Sequence, residues 1–454
     1  MLFFLCFHKS FKSSLPFFPM DRVVRIAKKS MPWIDHLLDR QSSVDLFPQK
    51  SKGSVCVLCK GGRMLCGKTH CPLLVQLDSL LSVRPHDSNI DGSSPPSVFI
   101  GRMGYPHIFV GPLVPPLYGD TSLLDFPEGW MDYSIEEIVQ FRMQLVRGKK
   151  RTDVYRTEER IVSEMQEAVL SSDPVDIEMK LVRKPSKRIL LDSEVQPMGP
   201  SGEIETLKIS PGSTNKKIEK AAYDTDLKAA EALCSLHEND VPVSTIQKAL
   251  SVGLFGLKNR RKLVPTRWSI TAIDSIVSLS LMEKIKRMPV LDEHLVYETT
   301  HLDNRFLVIL IPEGFRYEAI EAWYPGTFWN PISNDIFMLG DYEGFKGRTT
   351  YAGMGGCYYA ARLAVSEHLM DVGKQACVLV LRESHPDYIM PVGVWNVRES
   401  VREALRGTPA RFEDMGGVLK FISQKFSIRL PTWVKNSTIL EDELYQKRLE
   451  EWCH

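Results

Sequence analysis

The chain has 454 residues, with 57 Lys or Arg against 56 Asp or Glu, and 43% of it is hydrophobic. That length carries two or three domains and a sizeable core, and the near-average composition excludes wholesale disorder. A formal net charge of +1 excludes a global basic field, and nine cysteines, four of them clustered, exclude a disulfide framework.

Residues 1–19, "MLFFLCFHKSFKSSLPFFP", hold apolar runs too short for a membrane span and broken by His8, Lys9 and Lys12. Their charge follows the apolar stretch, the reverse of a signal peptide. Met20 opens an ordinary amphipathic stretch, so 1–19 read as a non-native or mis-assigned extension. No other run approaches the roughly 20 apolar residues of a span, which predicts a soluble protein with no membrane partner.

Residues 20–75 are basic, with ten Lys or Arg against four Asp. They contain Cys56-x2-Cys59-x6-Cys66-x4-Cys71, four thiols within sixteen residues. A two-residue gap lets both thiolates reach one metal, and Gly61, Gly62 and Gly67 supply loop freedom. Four thiolates suit tetrahedral zinc in a closed, structural site, with His70 competing with Cys71 as fourth ligand. Pro72 after Cys71 keeps an iron–sulfur cluster open as the alternative. Lys60, Arg63 and Lys68 on this knuckle are candidate nucleic-acid contacts; the competing reading is that they offset the thiolate charge.

Further along, Val98–Ile100 and His107–Val110 read as two strands joined by a turn at Gly104-Tyr105-Pro106. Residues 134–170 read as helices, and "DIEMKLVRKPSKRILLD" as a hairpin broken at Pro185-Ser186. A short strand between turn residues follows, within "PMGPSGEIETLKISPGSTNKK". Next, "KIEKAAYDTDLKAAEALCSLHEND" reads as one strong helix, followed by helical "VSTIQKALSVGLFG" and "SITAIDSIVSLSLMEKI". "RFLVILIPEGF" predicts a buried strand with "YEAIEAWYPG" as its antiparallel partner, and "QACVLVLRE" a third strand after a helix at 357–371. These elements predict a mixed α+β body.

Three constellations invite chemistry. In "VPTRWSITAIDS", Arg267 beside Trp268 suits backbone contact plus base stacking, with Asp274 nearby; a cation–π pair at a boundary is the plainer account. Glu318, Glu321, Asp341 and Glu343 could converge on a divalent ion, as in a metal-dependent nuclease, or form a solvated strand face. Gly353, Gly355 and Gly356 precede a helix in "GRTTYAGMGGCYYAARL", where free N–H groups could meet an anion and Arg348 could add a contact. Cys357 in the first turn would there have a lowered thiol pKa, as a nucleophile needs. Alternatively the glycines allow close packing around a small buried Cys357. The spacing matches neither a P-loop nor a Rossmann fingerprint.

At the C-terminus, "KNSTILEDELY" reads as a polar tether leading to "QKRLEEWCH". Gln446, Leu449 and Trp452 fall on one side of a helical segment. This ending resembles the peptide by which repair proteins dock on the sliding clamp PCNA, with Cys453 in the usual second aromatic position.

The segments "SPPSVFIGRMGYPHIFVGPLVPP", "LVPTRWSITAIDS", "DYEGFKGRTTYAGMGGCYYAARLAV" and "VGVWNVRESVREAL" together resemble the archaeal Nre DNA repair proteins, from about residue 50 onward. The resemblance implies a cytoplasmic DNA repair factor acting with PCNA and DNA, with a C4-type zinc finger and no established catalytic mechanism. The expected layout is a zinc-finger segment at 20–75, an N-terminal-type domain at 76–295, a C-terminal-type domain at 296–430 and a flexible clamp-binding tail at 431–454. A non-catalytic factor is favoured, with the nuclease as alternative.

Overall fold

The computed structural model describes residues 71–82, 87–186, 197–210, 212–331 and 333–445, all within the structural unit Cys59–His454. The 1–19 extension and nearly all of the basic 20–75 segment therefore lie outside the described residues. The mixed α+β class holds, built on two six-stranded sheets.

The first sheet uses β1 (Asn89–Ser94), β2 (Val98–Ile100), β3 (His107–Val114), β4 (Val146–Asp153), β5 (Val175–Leu181) and β6 (Ser201–Ile209). Their order is β1-β5-β6-β4-β3-β2, antiparallel except for β4 beside β6. "VDIEMKL" of β5 alternates buried and exposed side chains, the pattern of a sheet with one wet face. The expected β2–β3 pair forms, Ile100 opposite Val110. β5 pairs with β1 on one side and with β6, from the short-strand segment, on the other. The charged strand "VRGKKRTD" of β4 falls within the region expected to be helical.

Three helices precede or interrupt these strands along the chain: α1 (Pro72–Ser82), α2 (Ile135–Gln144) and α3 (Arg160–Leu170). The single helix expected at 217–240 is two, α4 (Lys216–Tyr223) and α5 (Ala229–Glu238). The Asp224 carboxylate accepts from the Asp226 and Leu227 amides, and Arg261 donates to the Ala222 and Asp224 carbonyls, so the chain turns there. Then come α6 (Val243–Ser251) and the 20-residue α7 (Thr266–Ile285).

The second sheet comprises β7 (His294–His301), β8 (Asn304–Ile311), β9 (Arg316–Trp323), β10 (Phe337–Glu343), β11 (Cys377–Ser384) and β12 (Ala410–Phe412), in the order β10-β9-β11-β8-β7-β12. β8 and β9 are not the antiparallel pair expected: β11 lies between them, antiparallel to β8 and parallel to β9. All eight residues of β11 are buried, so it takes the centre, where both edges and both faces are covered. One face packs on α7, α8 (Gly356–Val372) and α9 (Trp395–Arg406) through Phe306, Val308, Val380 and Leu363. The other packs, through Leu307, Ile309 and Leu379, on α10 (Met415–Lys425), α11 (Leu430–Asn436) and α12 (Thr438–Tyr445).

That last layer corrects the tether reading of 435–445. Trp433, Ile439 and Leu440 are fully buried in the second core, so residues up to the last turn of α12 belong to the body. Polarity misled here because only one narrow stripe of α12 faces inward. Among the described residues, no helix is long and apolar enough to cross a membrane.

Candidate functional site

Of the expected zinc ligands, Cys56, Cys59 and Cys66 lie outside the described residues, as do His70, Lys60, Arg63 and Lys68. Cys71 is buried directly before α1, its carbonyl accepting from the Val75 amide at 3.0 Å. Gln446, Leu449, Trp452 and Cys453 also lie outside.

The four carboxylates do not converge. Strand alternation puts Glu318 on the opposite face of the second sheet from Glu321, and each acid has its own partner. Glu318 caps α12, accepting from the Ser437 hydroxyl at 2.7 Å and the Thr438 and Ile439 amides at 2.8 and 2.9 Å; burial nonetheless raises its pKa. Glu321 accepts from Arg382 at 2.7 Å, and Arg382 also holds Asn304. Glu343 takes Arg362 with both oxygens, at 2.9 and 3.1 Å. Asp341 accepts from Arg348 at 3.0 Å and from the Met354 amide at 2.7 Å. Among the described residues, no three His, Cys, Asp or Glu side chains gather as a metal site.

The glycine-rich approach to α8 already meets an anion, Asp341 of its own chain. Gly355 has φ +68°, a conformation side chains resist, and a Cβ on Gly356 would stand 2.9 Å from Val394 Cγ1. Arg348 is half-buried, bonding Asp341 and the Thr350 carbonyl with its guanidinium over Tyr358. Burial pushes the Cys357 thiol well above its usual range, and Glu321 adds to this; the lowered pKa expected of a nucleophile is not found.

A different place gathers chemistry. A cavity of about 200 Å³ opens between β2–β3, the 124–130 loop, α2, and the N-terminal turns of α6, α7 and α9. Five cations line it, Arg102, Arg142, Lys248, Arg267 and Arg398, with one carboxylate, Asp125. Each sits where local structure puts it. Thr266, at the start of α7, accepts the Ile100 amide at 2.9 Å, tying that helix end to β2. Asp125 ends a single turn of tight helix at Ser122–Asp125 and accepts from Ser97, Arg142 and Lys248. Burial would raise the Asp125 pKa, but Lys248 and Arg142 outweigh it and hold the carboxyl below its usual range. Lys248 also donates to the Asp125 carbonyl at 2.9 Å.

At the back wall, Arg398 donates to Asp274 at 2.9 Å and Glu399 at 3.1 Å. Burial raises the Asp274 pKa despite Arg398. So Asp274 serves Arg398, whereas Trp268 faces outward, 40% exposed, with its ring 5.1 Å from that of Tyr105. The apolar walls include Phe99, Met198 and Trp395. Of the residues that motif and spacing single out, only Arg267 lines this cavity; Arg102, Arg142, Lys248 and Arg398 had no local motif to mark them. A signal existed in the four family-like strings: three supply cavity residues, and the fourth meets Val394 through Gly356.

A two-sheet α+β body enclosing a cation-lined cavity defines the class structurally. Two family models match the chain, "Archaeal Nre, N-terminal" over residues 65–330 and "Archaeal Nre, C-terminal" over 343–452. The chain belongs to the Nre family. It is 42% identical over 387 residues to the DNA repair protein NreB of Archaeoglobus fulgidus, covering 85% of this chain and 97% of that protein. It is 40% identical to NreA of the same organism over 82% of this chain and 93% of that one. Against the DNA repair protein NreA of Haloferax volcanii it is 33% identical, over 77% and 86% respectively. No solved structure matches it. The cavity draws walls from both matched regions, Arg267 from the first and Arg398 from the second.

Proposed function

We propose that this protein acts in DNA repair as a factor held on the sliding clamp PCNA by its last residues. The observation that carries the repair role is the near full-length likeness to relatives named DNA repair proteins. For the clamp, the support is the ending itself, in which Gln446, Leu449 and Trp452 have the spacing that one side of a helical segment would require and Cys453 follows. The capped and packed α12 gives that peptide a fixed point of departure at Tyr445. Such a tether raises the local concentration of the protein at DNA without demanding a tight DNA site of its own.

A zinc ion held by Cys56, Cys59, Cys66 and Cys71 would close a small N-terminal finger and supply structure rather than a reactive water. Lys60, Arg63 and Lys68 would then face DNA phosphates. The chemistry of the donor set fits zinc, and Cys71 leads directly into α1, its carbonyl accepting the Val75 amide.

Purified clamp should retain the wild-type protein and lose it with Trp452→Ala; equal retention would remove the clamp assignment. Zinc content should fall to near zero in a Cys56→Ala, Cys59→Ala double variant. An unchanged content, or iron in its place, would remove the zinc finger.

A further inference from the structure

The cavity between the N-terminal turns of α6, α7 and α9 has an imbalance that the clamp and zinc readings do not use. Its one lining carboxylate, Asp125, is shared by Arg142 and Lys248, which leaves that trio one positive charge in surplus. Arg398 is satisfied from behind by Asp274 and Glu399. Arg102 and Arg267 stand exposed at the mouth.

Behind the wall sits Arg147, whose guanidinium lies 4.5 Å from the centre of the Phe99 ring and donates to the Met198 sulfur at 3.4 Å. Phe99 and Met198 both line the cavity. No carboxylate pairs with Arg147 among the described residues, and burial pulls its pKa down to about 10. A cation kept partly out of water without an anion is costly, which points to a counter-charge supplied from elsewhere.

Five buried polar atoms here have no partner: Arg142 Nε, Arg147 Nε, the Ser244 hydroxyl, and, behind the lining, the carboxylate oxygens Glu128 Oε2 and Asp274 Oδ2. Ser244 is 6% exposed and lines the cavity; its amide is taken by Glu128 at 2.8 Å, but Glu128 is not part of the lining. Two of these groups are pure donors, and the hydroxyl can donate. Buried donors in native proteins are nearly always satisfied, so three around one cavity ask for an acceptor. The N-terminus of the 20-residue α7 lies at the same place and adds its partial positive charge.

Size narrows the class. About 200 Å³ lies below the roughly 300–1,000 Å³ of pockets for drug-sized ligands, so a phosphate with part of a sugar suits it better than a whole cofactor. Trp268, next to Arg267 and 40% exposed, offers a stacking face for a base left outside.

We propose that this cavity binds the phosphate of a single phosphorylated nucleotide unit, either a free mononucleotide or the phosphorylated end of a nucleic-acid strand. Arg102 and Arg267 guide the phosphate at the mouth, Ser244 and Arg142 receive it inside, and Trp268 stacks the base. The site goes beyond the clamp and finger readings and stands whether or not either holds.

The test is titration of the full-length protein with four ligands: inorganic phosphate, dTMP, and one oligonucleotide with and without a terminal phosphate (carried at the 5′ or the 3′ end). A terminal phosphate should tighten oligonucleotide binding by about tenfold, the typical worth of a charge-assisted contact. Equal binding of dTMP and the phosphorylated strand would assign the free nucleotide as source; stronger binding of the strand would assign the strand end. Ser244→Ala and the pair Arg102→Glu, Arg267→Glu should each weaken the phosphorylated ligand about tenfold or more and leave thermal unfolding unchanged. The exposed Arg160→Gln, remote from the lining, should change nothing. No preference for the phosphorylated strand, or a preference surviving both cavity variants, would overturn the proposal. Clamp retention is read separately, so its failure cannot be mistaken for this one.

Discussion

Two charged regions of this molecule look alike in the sequence and differ in how they are finished. On and beside the second sheet, buried arginines meet acids one to one: Arg382 with Glu321 and Asn304, and Arg362 of α8 with Glu343 and the Ser278 hydroxyl. At the cavity, lining cations outnumber lining acids, and Arg142 Nε, Arg147 Nε and the Ser244 hydroxyl find no partner; around the second sheet the unpaired buried atoms, such as Tyr358 Oη and Ser384 Oγ, lie outside these ion pairs. A complete set of partners is what a structural ion pair needs, because any missing one leaves a desolvated charge. The incomplete set that coincides with surplus lining cations and open space is the one at the cavity.

The sharpest way to break the comparison is to make the finished region unfinished. Arg382→Ala leaves Glu321 buried without its cation and should cost about 3–5 kcal/mol in urea unfolding. A loss below 1 kcal/mol would show that the pair adds little to the core. Arg382 also lies over the Trp323 ring at 4.7 Å, so part of the loss is packing.

The next effect is one of pH. Glu367 accepts from His237 at 2.7 Å and from Arg402 at 2.6 and 2.8 Å. Burial alone would raise its pKa, but His237 and Arg402 outweigh it and draw it from 4.5 down to about 2. A depressed acid stabilises the fold fully above its unfolded pKa and loses that contribution as pH falls toward the folded one. Between about pH 4.5 and 2 this contribution, about 3 kcal/mol, should disappear. Glu367→Gln should flatten the stability profile across that window, and an unchanged slope would sink the assignment.

A smaller effect belongs to Glu318. Its carboxylate accepts three bonds at the start of α12, so Glu318→Ala should cost about 1–2 kcal/mol, at the upper end for a cap because the site is buried. Amide exchange should quicken within Thr438–Tyr445 and not in β11. Uniform quickening would mean that α12 is not a separately loosened layer.

These cases show what could be read from the sequence. Apolar runs such as "CVLVLRES" declare buried strands, and the helices α3 and α6 declare themselves by periodicity, whereas α8 is buried almost all round from Tyr358 to Ser366. Partner choice between strands does not: β8 and β9 are adjacent in the chain and separated in the sheet by β11. "VRGKKRTD" escaped because its inward residues include Gly148, which lies against Met179 and Ile204 and carries no hydrophobic signal. The spacing of three within one strand already turns Glu318 away from Glu321, whereas the separate arginine and amide partners of the four acids come from distant parts of the chain. The cavity was least legible, since its cations come from positions 102, 142, 248, 267 and 398. Only tertiary structure brings them together.

The smallest expected stability effect is the most discriminating one. Ser244→Ala removes a buried hydroxyl that makes no hydrogen bond in this structure, so nothing is left unpaired by its loss. Removing an unsatisfied polar atom is neutral or slightly stabilising, here within about 0.5 kcal/mol. In the finished region a comparable deletion, Ser278→Ala, takes a hydroxyl that accepts from Arg362 Nε at 3.1 Å and donates to the Asp274 carbonyl at 2.6 Å. That change should cost about 1–2 kcal/mol, measured by the same unfolding experiment. If both serines cost alike, Ser244 has a partner in solution and the cavity is as closed as the ion pairs behind it. If Ser278 costs and Ser244 does not, the hydroxyl at the cavity is held for something other than the fold.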